Sequence, residues 1–300
     1  MFTKSLVGLD GSECAFAAAR AAAAIARHHG SEIIGLNVFH PIFAGPAEIG
    51  TGAMLIDTDV IDLCAQDQMQ AVEHNICPVF AGLIAPHRVV QETGHPAEAI
   101  LRVAEREKVD LIVVGSRGLR GIKELFLGST SSAVLHHAPC PVLIVRAKPE
   151  SDGAANPFQH ILLASDGSPH AQGAAVVAVE LAQTFATSLT VLNVSEGLSV
   201  AVPGEKAACI GDETTQALAK SQIEVVHRNV SELAKIAGVY CSFVEKGGYP
   251  DEAIVEFAKE HRPDVIVLGR RGSGGFEQIF VGSVSNYVAH HTSYPVLVVR

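Results

Sequence analysis

Two glycine–serine constellations hold the chemistry this sequence can offer. Gly115-Ser116-Arg117-Gly118 is followed by nine residues and then Gly128-Ser129. Gly269-Arg270-Arg271-Gly272 is likewise followed by nine residues and then Gly282-Ser283. Glycine permits a tight turn and lets a ligand approach the backbone. A helix beginning beyond Gly128 or Gly282 presents unpaired N–H groups and the positive end of its dipole. Ser129, Thr130 and Ser131 open one such helix and Ser283, Val284 and Ser285 the other, and the serines would add hydroxyl donors. Together these make an anion site of the kind phosphates occupy. Arg117 in one loop, and Arg270 and Arg271 in the other, would screen a di- or triphosphate. The plainer alternative is that the glycines only turn the chain and the serines only cap helices. Two copies at one spacing, each after an apolar run, weigh against it.

A carboxylate accompanies each loop. Asp10 stands in Leu9-Asp10-Gly11-Ser12 and Asp166 in Ser165-Asp166-Gly167-Ser168, each just after a short apolar run. Either contacts the ligand or forms an Asx turn at a strand end; the phosphate-like loop favours the ligand.

The elements that must position these residues also come twice. Leu36-Asn37-Val38 recurs as Leu192-Asn193-Val194 at an offset of 156, the offset that relates Asp10 to Asp166. Gly94-His95-Pro96 recurs as Gly248-Tyr249-Pro250, and Pro141-Val142-Leu143 as Pro295-Val296-Leu297, both at 154. A period this long makes each copy a full domain rather than a solenoid repeat. In the first copy, strands are predicted at Ser5–Leu9, Glu32–Val38, His87–Glu92, Leu111–Val114 and Val142–Val145. Helices are predicted from Ser12 as N-cap to about His29, over Asp59–Ala85, over Pro96–Lys108 and over Ser129–His137. Strands alternating with helices, several of them uniformly apolar, imply a parallel sheet covered on both faces. Ligands of such sheets sit beyond the carboxyl ends of the strands, which is where Asp10 and the loop from Gly115 fall.

Bulk properties narrow the function. The 300 residues carry 32 acidic and 22 basic side chains, a formal net charge of −10, which opposes a nucleic-acid duplex or an anionic membrane surface. No apolar run approaches the roughly 18 residues of a membrane helix, and Met1–Ser5 leads into a strand without a signal-peptide pattern; the cytosol is the expected location. The six cysteines contain no C-x-x-C pair and read as reduced thiols. His28-His29, His136-His137 and His290-His291 fall at helix C-termini, where the dipole favours them over a metal role. The segment 41–56 is apolar and interrupted by Gly and Pro, and reads as a covering flap or dimer contact; 195–211 is also loop-like. Walker A, G-x-G-x-x-G, zincin and nucleophile-elbow patterns are absent.

The G-x-x-G-(nine residues)-G-[S/T] pattern, the Asp-Gly-Ser after the first strand and the closing Pro-Val-Leu-apolar-Val strand resemble the universal stress protein family and its ATP-binding signature. The resemblance spans nearly the whole chain, twice, as in tandem members. It implies two α/β, Rossmann-like (adenine nucleotide alpha hydrolase-like) domains, each a five-stranded parallel sheet of order 3-2-1-4-5. Domain 1 would cover 1–147, a linker 148–158 and domain 2 159–300. It implies ATP, ADP or AMP as ligand, with or without Mg²⁺. Asp10 and Asp166 match positions near ribose and adenine, and Val38 and Val194 the backbone position at the adenine edge. Gly115, Gly118, Gly128 and Ser129, with Gly269, Gly272, Gly282 and Ser283, match the phosphate positions. Leu9 and the Arg270-Arg271 pair depart from the family pattern, and the arginines should make the second pocket more cationic and tighter. The halves should pair as an intrachain pseudo-dimer through their last strands, and whole chains can dimerise again. The function so implied is a cytoplasmic, nucleotide-responsive regulator of the stress response with an unidentified protein partner. Its rivals are a slow ATPase or nucleotide transferase, and a scaffold or small-ligand binder with vestigial nucleotide sites.

Overall fold

The computed structural model describes residues 2–40, 58–118, 127–147, 157–195, 199–200, 208–209, 213–272 and 281–300. The first half runs β1 (Lys4–Leu9), α1 (Glu13–His29), β2 (Glu32–Phe39), α2 (Thr58–Phe80), β3 (His87–Thr93), α3 (Pro96–Glu107), β4 (Leu111–Gly115), α4 (Ser129–His137) and β5 (Val142–Val145). The second runs β6 (His160–Ala164), α5 (Pro169–Thr184), β7 (Ser188–Ser195), β8 (Ser199–Val200), β9 (Ala208–Cys209), α6 (Glu213–Ala237), β10 (Cys241–Gly247), α7 (Pro250–His261), β11 (Val265–Gly269), α8 (Ser283–His291) and β12 (Val296–Val299). The helix predicted to reach Ala85 ends at Phe80, and Gly82 takes a left-handed φ of 75° just beyond it. The stretch expected to be loop-like after β7 includes a small antiparallel ribbon, β8 with β9. The apolar segment 41–56 and the middle of both glycine loops lie outside the described residues.

One ten-stranded sheet runs through both halves in the order β10-β7-β6-β11-β12-β5-β4-β1-β2-β3. Each half therefore has the order 3-2-1-4-5, as expected, and the strands within a half are parallel. The halves join where β12 pairs antiparallel with β5, Leu297 opposite Leu143. These strands are buried at every position, so pairing removes two apolar edges that would otherwise template association. Antiparallel joining has a geometric consequence. The carboxyl ends of the two sets of strands lie at opposite margins of the sheet.

Helices cover both faces. One core packs α1, α2, α5 and α6 on the sheet and contains residues of both halves. The other, under α3, α4, α7 and α8, does the same. At the join, Phe2 and Phe158, Ile25 and Leu181, Leu111 and Val265, and Leu143 and Leu297 meet in repeat-related pairs, leaving no room for a water molecule. The nine alanines of α1 allow this close approach, since Ala18, Ala19, Ala22 and Ala23 are fully buried. A chain ending at residue 147 exposes the β5 edge and half of this seam. It is expected to associate as a dimer in sedimentation velocity, and a stable monomer would contradict that account of the join.

Candidate functional site

In each half the strand order reverses between the first and fourth strands, β1 and β4 or β6 and β11. The crevice beyond such a switch point is where open α/β sheets bind ligands. Asp10 leaves the end of β1 level with Val38, because Leu9 is paired with Asn37. The buried Asn37 holds that level by donating Nδ2–H to the Leu9 carbonyl at 2.8 Å, and Asn193 does the same to Ser165 at 2.8 Å. Gln91 donates in turn to Asn37 Oδ1 and to the Ala65 carbonyl, tying β3 and α2 to the first site.

The turn after β1 is built by Asp-Gly-Ser. Gly11 and Gly167 have φ of 82° and 80°, a region that costs a side-chain-bearing residue strain. Asp10 Oδ1 accepts the Ser12 N–H at 3.0 Å, and Asp166 Oδ1 the Ser168 N–H at 3.0 Å. These are the Asx turns the alternative reading anticipated, and they coexist with a second contact. A Cβ on Gly118 would collide with Asp10 Oδ2, and one on Gly272 would stand 2.7 Å from Asp166 Oδ2. Each carboxylate thus lies against the glycine loop of its own half, and a side chain at Gly118 or Gly272 would have to displace it.

Ser12 and Ser168 have a role that sequence reading assigned only in part. Each caps its helix by accepting the N–H of Ala15 or Ala171. Each also donates its hydroxyl proton across the crevice, Ser12 to the Arg117 carbonyl at 3.2 Å and Ser168 to the Arg271 carbonyl at 3.3 Å. The recurrence of Ser after Asp-Gly was the available signal. The N-cap and the phosphate loop are thereby one unit.

The loop is closed at its far end as well. Gly128 N–H donates to the Ser116 carbonyl at 2.7 Å and Gly282 N–H to the Arg270 carbonyl at 2.8 Å. Gly115 and Gly269 sit so close to α1 and α5 that a Cβ would stand 2.8 Å from the Cys14 carbonyl carbon, or 2.6 Å from that of His170. Ser131 and Ser285, expected to offer hydroxyls to the ligand, are buried and donate to Gly115 and Gly269 at 2.5 and 2.7 Å. Side chains on a helix lean toward its N-terminus, and here that direction leads to the strand end. Ser129 and Ser283 remain exposed, and Thr130 and Val284 are half-buried. The N-cap of α4 and of α8 is a glycine, which has no side chain to cap with, in contrast to the serines of α1 and α5. The first-turn N–H groups of both helices therefore receive no bond from an N-cap side chain.

The loop arginines divide. Arg117 and Arg271 belong to the loops by their backbones. Arg270 closes its own loop through its carbonyl, but its guanidinium crosses the join and donates to the Ala138 carbonyl at 3.1 Å and to the His136 carbonyl. The expectation that Arg270 screens phosphate and makes the second pocket the more cationic one is corrected by this placement. Among the described residues, Arg117 in the first loop and Arg271 in the second are the remaining loop arginines. The direction was set by what packs across the join, which the local sequence does not reveal.

The histidine pairs are structural contacts. His290 and His291 bond backbone carbonyls through Nδ1, and His291 stacks on Tyr287 with centroids 3.9 Å apart. Among the described residues, no group of three or more His, Cys, Asp or Glu is placed to hold a metal ion. His136 Nε2 meets Asn286 Oδ1 at 3.1 Å across the join. Burial lowers the His136 pKa, the Asn286 bond opposes that, and His137, His290 and Arg270 lower it further. The folded state therefore favours the neutral imidazole, while the unfolded chain titrates near 6.5. Below that pH the unfolded chain binds more protons, so stability is present above it and declines as pH falls. Urea midpoints should fall from pH 7 to pH 5 more steeply in the native protein than in His136→Asn; equal slopes would contradict this.

A model of the universal stress protein family matches residues 1–146 and again residues 157–300. The chain belongs to the universal stress protein family. A universal stress protein of Mycolicibacterium smegmatis is 28% identical over 98% of this chain and 96% of its own length. One from Thermus aquaticus is 36% identical over 49% of this chain and 100% of its own, the length of a single half. The crystal structure of a universal stress protein from Archaeoglobus fulgidus superposes with a TM-score of 0.67 at 22% identity, covering 99% of this chain and 98% of that one. This is therefore a tandem universal stress protein fold. No helix among the described residues is long and apolar enough to cross a membrane.

Proposed function

We propose that this protein binds an adenine nucleotide, ATP or its di- or monophosphate, with or without Mg²⁺, at the carboxyl margin of each half. The phosphates would rest on the first turns of α4 and α8 and on the backbone of Gly115–Gly118 and Gly269–Gly272. Gly128, Ser129 and Thr130, with Gly282, Ser283 and Val284, would supply N–H donors, and Arg117 and Arg271 the charge. Asp10 and Asp166 would face the ribose, and the backbone of Val38 and Val194 the base. In this reading residues 1–147 and 159–300 are the two binding domains and 148–158 the linker. The protein would act in the cytoplasm as a nucleotide-responsive regulator of the stress response.

One observation carries the reading. Two helices begin at a glycine N-cap that closes a glycine loop held by the same Asp and Ser, with matching bonds that agree within about 0.2 Å. Backbone N–H groups and a helix dipole bind anions irrespective of net charge, so an overall charge of −10 does not oppose it. Equilibrium dialysis of the native chain against labelled ATP, with and without Mg²⁺, tests it. Saturable uptake displaced by ADP is expected; absence of saturable uptake in both conditions would overturn it.

A further inference from the structure

Helix α4 connects the two candidate sites. It begins at the loop of the first half and runs back along the sheet. With nine residues it covers about 13 Å at 1.5 Å per residue. Because the halves join antiparallel, its far end arrives at the margin where the second half keeps its own loop. Two residues of the second half, one in its loop and one in α8, meet it there. Arg270 donates to the His136 and Ala138 carbonyls at the C-terminal end of α4, where a cation complements the dipole. Asn286, in the first turns of α8, bonds His136. Arg270 is also the closure point of the second loop: its carbonyl accepts Gly282 N–H at 2.8 Å and Ser285 Oγ–H at 3.3 Å. The same residue thus touches the start of one phosphate-loop helix, α8, and the end of the other, α4.

The opposite connection is built differently. The repeat position of Arg270 in the first half is Ser116, a buried residue whose Oγ lies 3.7 Å from Cys14 Sγ within its own half. The end of α8 is met instead by Arg146, which follows β5 rather than the loop and donates to the Ala289 carbonyl at 2.7 Å. Arg300, the repeat counterpart of Arg146, reaches Pro139. Among the described residues, the second loop carries a strut to the other half's helix through Arg270, and the residue at its repeat position, Ser116, is turned to its own half.

We propose that Arg270 is a positioning residue that couples the sites, so that filling the second site changes the packing of α4 and with it the first site. The proposal rests on the nucleotide-binding reading above. Coupling between sites is reciprocal and typically changes an equilibrium about 5-fold or more.

The test uses the full chain with the first site closed by Ser129→Asp, so that added ATP reaches only the second. Hydrogen exchange of the α4 amides near Val134–Ala138 is followed with and without ATP, and ATP binding is measured on the same samples. Exchange there should slow or quicken about 5-fold on ATP addition. Arg270→Ser, which installs the residue found at the repeat position, should abolish that response while ATP still binds. Arg270→Lys, which keeps the charge but not a fork spanning two carbonyls, covers the case in which the serine variant does not fold and should lose most of it. Arg146→Ser, a join contact outside the loop, should retain it. An ATP-bound chain whose α4 exchange is unchanged, or changes equally without Arg270, would overturn the coupling alone. A chain that takes up no ATP at all would overturn the binding reading and the coupling with it.

Discussion

The double variant Ser129→Asp/Ser283→Asp is expected to lose ATP affinity by about 100-fold or more. The added carboxylates stand on the exposed first residues of α4 and α8, where the proposed phosphates would sit. Like charges placed together in a binding site cost several kcal/mol, and each 1.4 kcal/mol is tenfold in affinity. An acidic residue in the first turn of a helix is favourable for folding, so the variant should melt at or above the native temperature. Binding loss and stability gain together separate an anion site from a merely structural turn. If the glycines and serines served only to fold the loop, affinity would not change. Titration calorimetry with ATP alongside a thermal melt reads both.

Gly269→Ala should destabilise the protein by about 3 kcal/mol, the upper range for forcing extra volume into a packed site. Its Cβ would stand 2.6 Å from the His170 carbonyl carbon and 2.8 Å from the Ala171 nitrogen, all backbone at the start of α5. No side-chain rotation relieves that contact; the helix start must move away from the strand end. Gly115→Ala meets Cys14 at 2.8 Å in the same way. The loss should appear as a lower urea midpoint at an unchanged slope. Because each core contains residues of both halves, either substitution should shift one common transition rather than detach one half. An unchanged midpoint would show that α1 and α5 do not press on the strand ends as described.

These two variants also mark what the amino-acid sequence makes legible. The repeat, the apolar runs of β4, β5, β11 and β12 and the glycine spacing place the loops at strand ends, and the structure has them there. Periodicity could not order the strands; the order 3-2-1-4-5 came from family resemblance and is the observed one. The joining of halves through β5 and β12 was likewise implied by the family resemblance, is the observed one, and agrees with apolar strands whose open edges would otherwise template association. What stayed hidden depends on the direction of single side chains. Arg270 reads as a loop cation because its neighbours in sequence are a loop, yet its guanidinium is bound by carbonyls 134 and 132 positions away. Ser131 and Ser285 read as ligand donors because they open a helix, yet their place on its inner side turns them to the strand. Ser12 reads as a cap and is also the tie between cap and loop. In each case the residue type was informative and the partner, set by long-range packing, was not.

The central claim is that both margins hold an adenine nucleotide. The most direct measurement is to heat-denature freshly purified full-length protein, then identify and count the released nucleotide per chain by chromatography. The duplicated geometry predicts adenine nucleotide at one to two per chain, rising to two after incubation with ATP and Mg²⁺. Protein that releases none, and that still releases none after that incubation, would contradict the claim and leave the tandem fold without a nucleotide.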